Sequence, residues 1–167
     1  FVNDKLPKTK TGTVLALLDK VDTITGSFCI GIVPTGSQDP YGLRRNALGI
    51  INIIFKNKMN VNIKEIINYS LDTYGNIVKK DKTIVLKDII EFIKGRVETI
   101  LLEQKIRYDI VNAVLSVDFS DIFLTFKKAE ILNILYKGSD FYKNIVAFSR
   151  VINILPKDLA KANIKIN

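Results

Sequence analysis

Two groups of side chains in this sequence have the types and spacing to do chemistry. Asp19 and Asp22 stand three residues apart, neighbours on one helical face beside Leu15 and Leu18. Carboxylates against an apolar stripe can hold a metal ion or activate a water. They can equally pair with an arginine, and the ion pair is the simpler reading, because acids shielded from water are normally partnered. Arg44 and Arg45 form the second group. A guanidinium meets phosphate oxygens two at a time, so either arginine could clamp a nucleic-acid backbone. Arg44 shares a face with Leu48, Ile51 and Phe55 and is assigned a structural bridge back to Asp19, Asp22 or Asp39. Arg45 points to a more polar side and keeps both readings, phosphate contact and internal ion pair.

What the sequence lacks narrows the chemistry further. It contains no histidine, which removes the commonest general base, the commonest zinc ligand and every Ser-His or Cys-His nucleophile pair. Asp19 and Asp22 are left without a histidine to complete a metal or catalytic site, and no catalytic residue is assigned. The single cysteine, Cys29, lies in an apolar segment and reads as a small core residue. The segment Pro34-Thr35-Gly36-Ser37-Gln38-Asp39-Pro40 is a loop by its turn residues. It is not a nucleotide P-loop, since it lacks Gly-Lys-Ser/Thr and follows a helix rather than a strand.

The elements that must position these groups are helical. Apolar residues make up 47% of the 167, enough for a buried core. Val14, Leu17, Leu18, Val21, Ile24 and Phe28 recur at three- and four-residue steps and predict a helix over about 13–29, ended by Gly31 and Pro34. Asp39-Pro40 is a good helix start, and the next helix is expected from Tyr41 to about Lys56. A third spans Ile63–Tyr74, capped by Asn62 and closed by Gly75. After the charged connector 79–83 a long stripe runs from Leu86 to Leu101, interrupted by Gly95, which suggests close packing there. Tyr108–Val117 reads as a short helix. Asp118 or Ser120 then starts one with Ile122, Phe123, Phe126, Ala129, Ile131, Leu132 and Leu135 as its apolar set. Ser139 or Asp140 caps the last, whose buried face is Phe141, Ile145, Val146, Phe148, Val151, Ile152 and Leu155. Gly31-Ile32-Val33 and Thr83-Ile84-Val85 favour strand but are too short to outweigh their neighbours. The expected fold is all-α.

Twenty-five basic against seventeen acidic residues give a net charge of +8, which favours nucleic acid or another acidic surface as partner. The excess is spread evenly along the chain, as on an ordinary solvated surface. No apolar run approaches the roughly 20 residues of a membrane helix, so no membrane is expected and a reducing cytoplasm fits. The chain opens on Phe1 with Met59 as its only methionine, the pattern of a processed chain or a fragment.

Residues 15–26, Leu-Ala-Leu-Leu-Asp-Lys-Val-Asp-Thr-Ile-Thr-Gly, and 31–49, Gly-Ile-Val-Pro-Thr-Gly-Ser-Gln-Asp-Pro-Tyr-Gly-Leu-Arg-Arg-Asn-Ala-Leu-Gly, resemble the β subunit of bacterial glycyl-tRNA synthetases. That family reads A-D-K-x-D-T-L-x-G-x-F and then P-x-G-x-x-D-P-F-A-L-R-R-x-A-L-G. Leu18, Ile24 and Tyr41-Gly42 depart from it without disturbing the spacing. The segments 92–96, 108–115 and 149–155 follow the family's order more loosely. The resemblance implies an αβ-type heterotetrameric ligase joining glycine to its tRNA, with ATP and Mg used through the α subunit and no cofactor held by this segment. It implies the end of an HD-like helical domain over 1–57 and a further helical segment over 58–167. HD-type phosphohydrolases place a metal-binding aspartate in a pattern that Asp19 matches, but their histidines have no counterpart here. Thr35, Ser37, Gln38, Arg44 and Arg45 become the candidate contacts to tRNA or to the α subunit. Alternative readings are an HD-type phosphohydrolase fragment and a helical protein-interaction module.

Overall fold

The computed structural model describes residues 7–36, 38–138 and 140–154, with backbone alone at 151–153. Seven α-helices account for most of them: α1 (Lys10–Cys29), α2 (Leu43–Lys56), α3 (Ile63–Tyr74), α4 (Lys82–Glu103), α5 (Tyr108–Ser116), α6 (Ile122–Tyr136) and α7 (Phe141–Ile154). Among the described residues the only β-type pairing is an isolated bridge between Asn62 and Asp121, so the fold is all-α as expected. The chain divides into two compact units, Phe1–Ala129 and Glu130–Asn167. The boundary expected at residue 57 falls inside the first.

That first unit is built around α1, which packs against α2, α3 and α4. Its core is chiefly isoleucine: Ile24, Ile50, Ile53, Ile54, Ile67 and Ile93 are all essentially inaccessible to water. Each such side chain stabilises the fold by about 1.5–3 kcal/mol relative to exposure. Phenylalanines close the ends, Phe28 on Phe92 with ring centroids 5.4 Å apart and Phe55 on Phe126 at 4.9 Å.

Local chemistry explains where the helices begin and stop. Thr9, not a residue near Thr13, starts α1, its Oγ1 accepting from the Gly12 N–H at 3.1 Å. The helix ends in a Schellman motif around Gly31 (φ +85°), with Gly31 N–H bonded to Phe28 O and Ile32 N–H to Ser27 O. Asn62 caps α3 through the N–H groups of Lys64 and Glu65, and Gly75 follows its end. Two further stops have no glycine to announce them. Lys58 (φ 51°) and Lys105 (φ 60°) occupy the left-handed position after α2 and α4, completing the same hydrogen-bond pattern onto Phe55, Ile54, Leu102 and Leu101.

Several expectations are corrected. Val14 and Leu18, whose spacing helps to mark α1, lie outside the core, 44% and 46% exposed, and the buried apolar stripe is the narrower set Leu17, Val21, Ile24 and Phe28. The cap of α6 is Asp121, whose Oδ1 accepts from Leu124 N–H at 2.8 Å. Asp118 instead turns toward Ser120 and Lys64. Ile131 and Leu135 on α6 are exposed among the described residues, as are Ile145 and Phe148 on α7. Of the apolar face expected on α7, the side chains of Val151, Ile152 and Leu155 lie outside the described residues, as does Ser139. Gly95 marks no close packing: a Cβ added there would meet no heavy atom within 4 Å.

Candidate functional site

The segment between α1 and α2 is fixed by one arginine. The Arg44 guanidinium donates from Nη2 to the Gly36 carbonyl at 2.7 Å and from Nη1 to the Gln38 carbonyl at 3.1 Å. Its backbone N–H donates to Asp39 Oδ1 at 2.9 Å. Arg44 thus acts structurally through loop carbonyls rather than through an acid. Asp39 meets a first-turn N–H of α2, the orphan donor that a helix start leaves. This carboxylate occupies the place where an outside anion would otherwise bind.

The helix does not start at Tyr41 as the sequence suggests. Pro40–Gly42 form a single tight turn closed by Gly42 N–H on Asp39 O, and α2 begins at Leu43. Tyr41 (φ 57°) and Gly42 (φ 63°) are both left-handed. Glycine adopts that conformation freely, whereas a Cβ at 42 would be strained by its φ and would stand 2.7 Å from the Arg45 guanidinium, whose flexible end would have to shift. For tyrosine that conformation is strained, by about 1–3 kcal/mol. The Tyr41 side chain is 73% exposed.

Asp19 and Asp22 lie on the exposed side of α1, and no cation pairs with either among the described residues. The arginine expected to reach them is turned to the loop instead. Asp22 has a different partner: Tyr74, at the end of α3, donates its hydroxyl to Asp22 Oδ1 at 2.8 Å, with the Asp22 carbonyl also 3.2 Å away. Burial, then the bond to Asp22 and its charge, push the Tyr74 hydroxyl up to about 12. The thiol of buried Cys29 is likewise raised, first by burial and then by Asp22. Gly26 makes the tyrosine contact possible, since a Cβ there would fall 2.5 Å from Tyr74 Oη. Sequence reasoning missed Tyr74 altogether. The available signal was a glycine in mid-helix, one turn after Asp22, in an otherwise well-formed pattern.

Two concavities result, both on α1. One, of about 390 Å³, is lined by Asp22, Ser27, Ile30, Tyr41 and Tyr74. The other, of about 600 Å³, runs between α1 and α3 and is lined by Leu15, Leu18, Asp19, Ile66 and Tyr69. Of the remaining candidates, Thr35 and Gln38 are exposed and joined by a turn bond from Gln38 N–H to Thr35 O. Arg45 is exposed beside Gly42. Ser37 lies outside the described residues. No three potential metal ligands gather anywhere among the described residues, and none of their helices is long and apolar enough to cross a membrane.

Comparison with known proteins places these features in context. A family model described as glycyl-tRNA synthetase beta subunit matches residues 1–116. The glycine–tRNA ligase beta subunit of Clostridioides difficile is 43% identical over 157 residues, covering 94% of this chain and 23% of that protein. Those of Shouchella clausii (39% over 160 residues, 94% and 23%) and Halalkalibacterium halodurans (37% over 172 residues, 100% and 24%) are similarly related. The chain spans about a quarter of the length of the curated relatives it matches.

Proposed function

The chain belongs to the glycyl-tRNA synthetase β-subunit family, and we propose that it serves there as a tRNA-contacting and scaffolding segment, supporting attachment of glycine to tRNA without performing that chemistry. In this reading ATP and Mg act at the α subunit, within a cytoplasmic αβ-type heterotetramer, and this segment holds neither. The observation that carries it is the loop 34–42 and its junction with α2. Arg44 ties the loop's own carbonyls together, so the surface that includes Thr35, Gln38, Tyr41 and Arg45 is set before a partner arrives. A surface held by its own bonds binds without the ordering cost that a mobile loop would impose, and the +8 charge of the chain favours a polyanion.

A second contact, with polypeptide, is favoured by the groove between α1 and α3. Leu15 is 62% and Tyr69 73% exposed there, and apolar surface beside acidic Asp19 suits a partner helix carrying a basic residue. The α subunit is the natural occupant in this reading. The HD-type phosphohydrolase reading has only the exposed Asp19 and Asp22 to build on, and no third potential ligand joins them among the described residues.

Binding of the chain to glycine tRNA and to an unrelated tRNA, at low and physiological salt, tests the proposal. Cognate preference that survives physiological salt is the expected result. Absence of binding at either salt overturns tRNA contact by these helices.

A further inference from the structure

The smaller concavity has a chemistry of its own. Thr23 Oγ1 donates to Asp19 O at 2.9 Å, and Ser27 Oγ to Thr23 O at 2.8 Å. Both hydroxyl protons are therefore directed into the α1 backbone, and the cleft receives oxygen lone pairs. Asp22 adds a carboxylate whose Oδ1 takes the Tyr74 proton and whose Oδ2 has no partner among the described residues. Every polar atom named here is an acceptor. A phosphate is repelled from such a site, and a group that presents N–H donors is attracted.

The walls are aromatic and apolar. Tyr41, left-handed in backbone and 73% exposed, lines the cleft together with Tyr74 and Ile30. The depression is open, about 390 Å³ in volume, so a flat ring can lie against these walls without being enclosed. Just outside, the Lys79 N–H bonds to the Cys29 carbonyl at 3.3 Å. This bond brings exposed Lys79 and Lys80 to the end of α1, next to Ile30. Neither lysine is in an ion pair among the described residues.

From this arrangement we infer that the cleft receives one unpaired nucleobase of an RNA strand, its amino edge on Asp22 and its face on Tyr41, with the flanking phosphates on Lys79 and Lys80. The inference rests on the tRNA-contact reading and deepens it. Unpaired RNA bases are recognised by aromatic stacking and by hydrogen bonds to their edges. Adenine, cytosine and guanine carry an exocyclic amine that a carboxylate accepts from, and uracil does not. An arginine or lysine of a protein partner would also satisfy acceptors and aromatic rings. The exposed Lys79 and Lys80 beside this cleft repel a cationic side chain there and draw phosphates, which decides between them.

The test is ultraviolet cross-linking of the chain to tRNA at low salt, with the attached peptide sequenced, followed by variant binding. The expected cross-link is at Tyr41 or Tyr74, to an unpaired nucleotide. Tyr41→Gly relieves the backbone strain and raises the melting temperature, yet weakens RNA binding roughly fivefold or more, the loss of one stacked base. Asp22→Asn weakens binding to single-stranded oligo-adenylate or oligo-cytidylate more than to oligo-uridylate, which offers one ring N–H and no amine. Lys79→Ala lowers the salt slope by about one. Unchanged affinity in Tyr41→Gly with cross-links elsewhere overturns the cleft while leaving tRNA contact standing. No tRNA binding at all overturns both. Capture of an arginine-containing peptide by the unaltered chain but not by Asp22→Asn, without RNA binding, gives the cleft to a protein partner and overturns the inference.

Discussion

Replacing Gly95 by alanine should stabilise the chain. Gly95 sits inside α4, where glycine is less favourable than alanine by about 0.8–1 kcal/mol, through backbone entropy in the unfolded chain and loss of helix preference. That gain survives only if the new methyl has room, and here it does, with no heavy atom within 4 Å of its position. The methyl enters open space, so no burial energy is added and no overpacking opposes it. For a chain of this length about 1 kcal/mol corresponds to a rise of roughly 2–4 °C in melting temperature. Gly26→Ala is the matching control, because it gains the same helix preference but puts a Cβ 2.5 Å from Tyr74 Oη. The tyrosine must then leave Asp22, and the net effect should be a loss of about 1 kcal/mol. Thermal melts followed by far-ultraviolet circular dichroism read both. A fall in melting temperature for Gly95→Ala would refute the reasoning, since it would mean that a neighbour occupies the space beside α4.

Three further outcomes follow from the bonds described above. Arg44→Ala removes the donors to Gly36 O and Gln38 O and should lower stability by about 1–2 kcal/mol in urea melts, while opening the 34–42 loop to limited proteolysis; Arg44→Lys should not restore it, because an ammonium lacks the fork that reaches both carbonyls. Asp118 is held at about 2, below its ordinary 3.8, first by Lys64 and then by Ser120, so its contribution is present above pH 3.8 and lost as pH falls through 2. Asp118→Asn should therefore lower the melting temperature at neutral pH, and the difference from the unaltered chain should vanish near pH 2. Spectrophotometric titration should find one tyrosine ionising near pH 12, returned toward the ordinary value by Asp22→Asn; titration of that tyrosine near 10 in the unaltered chain would show that its bond to Asp22 does not form.

The helices were legible because their cues are local. Asn62 and Gly75 bound α3 in the sequence as they do in the structure, and the apolar spacing placed every helix. The errors arose where a decision depends on distant residues. Leu18 and Leu17 look alike in a periodic pattern, yet α2, α3 and α4 cover only one of them. Lys58 and Lys105 end helices in a conformation usually marked by glycine, and a lysine gives no such sign. At the candidate site, Asp39 was recognised as a capping residue, but its target depends on the tight turn at Pro40–Gly42, which no spacing rule contains. The partner of Asp22 proved to be Tyr74, 52 positions away, a pairing that only the packing of α1 on α3 creates.

Among the described residues three that are not glycine have left-handed backbone: Tyr41, Lys58 and Lys105. The two lysines are accounted for by folding alone. Each completes a helix terminus, and the two backbone bonds gained there offset a conformational penalty of about 1–2 kcal/mol. Tyr41 closes no helix end, and its ring is 73% exposed, so neither capping bonds nor burial of its side chain compensates the strain. The turn bond from Gly42 N–H to Asp39 O would form as well around a glycine at 41. What glycine cannot supply is an aromatic face held away from the core, beside Asp22 and Tyr74. Strain that folding does not require, at a residue whose side chain folding does not bury, is what a contact surface is expected to leave behind.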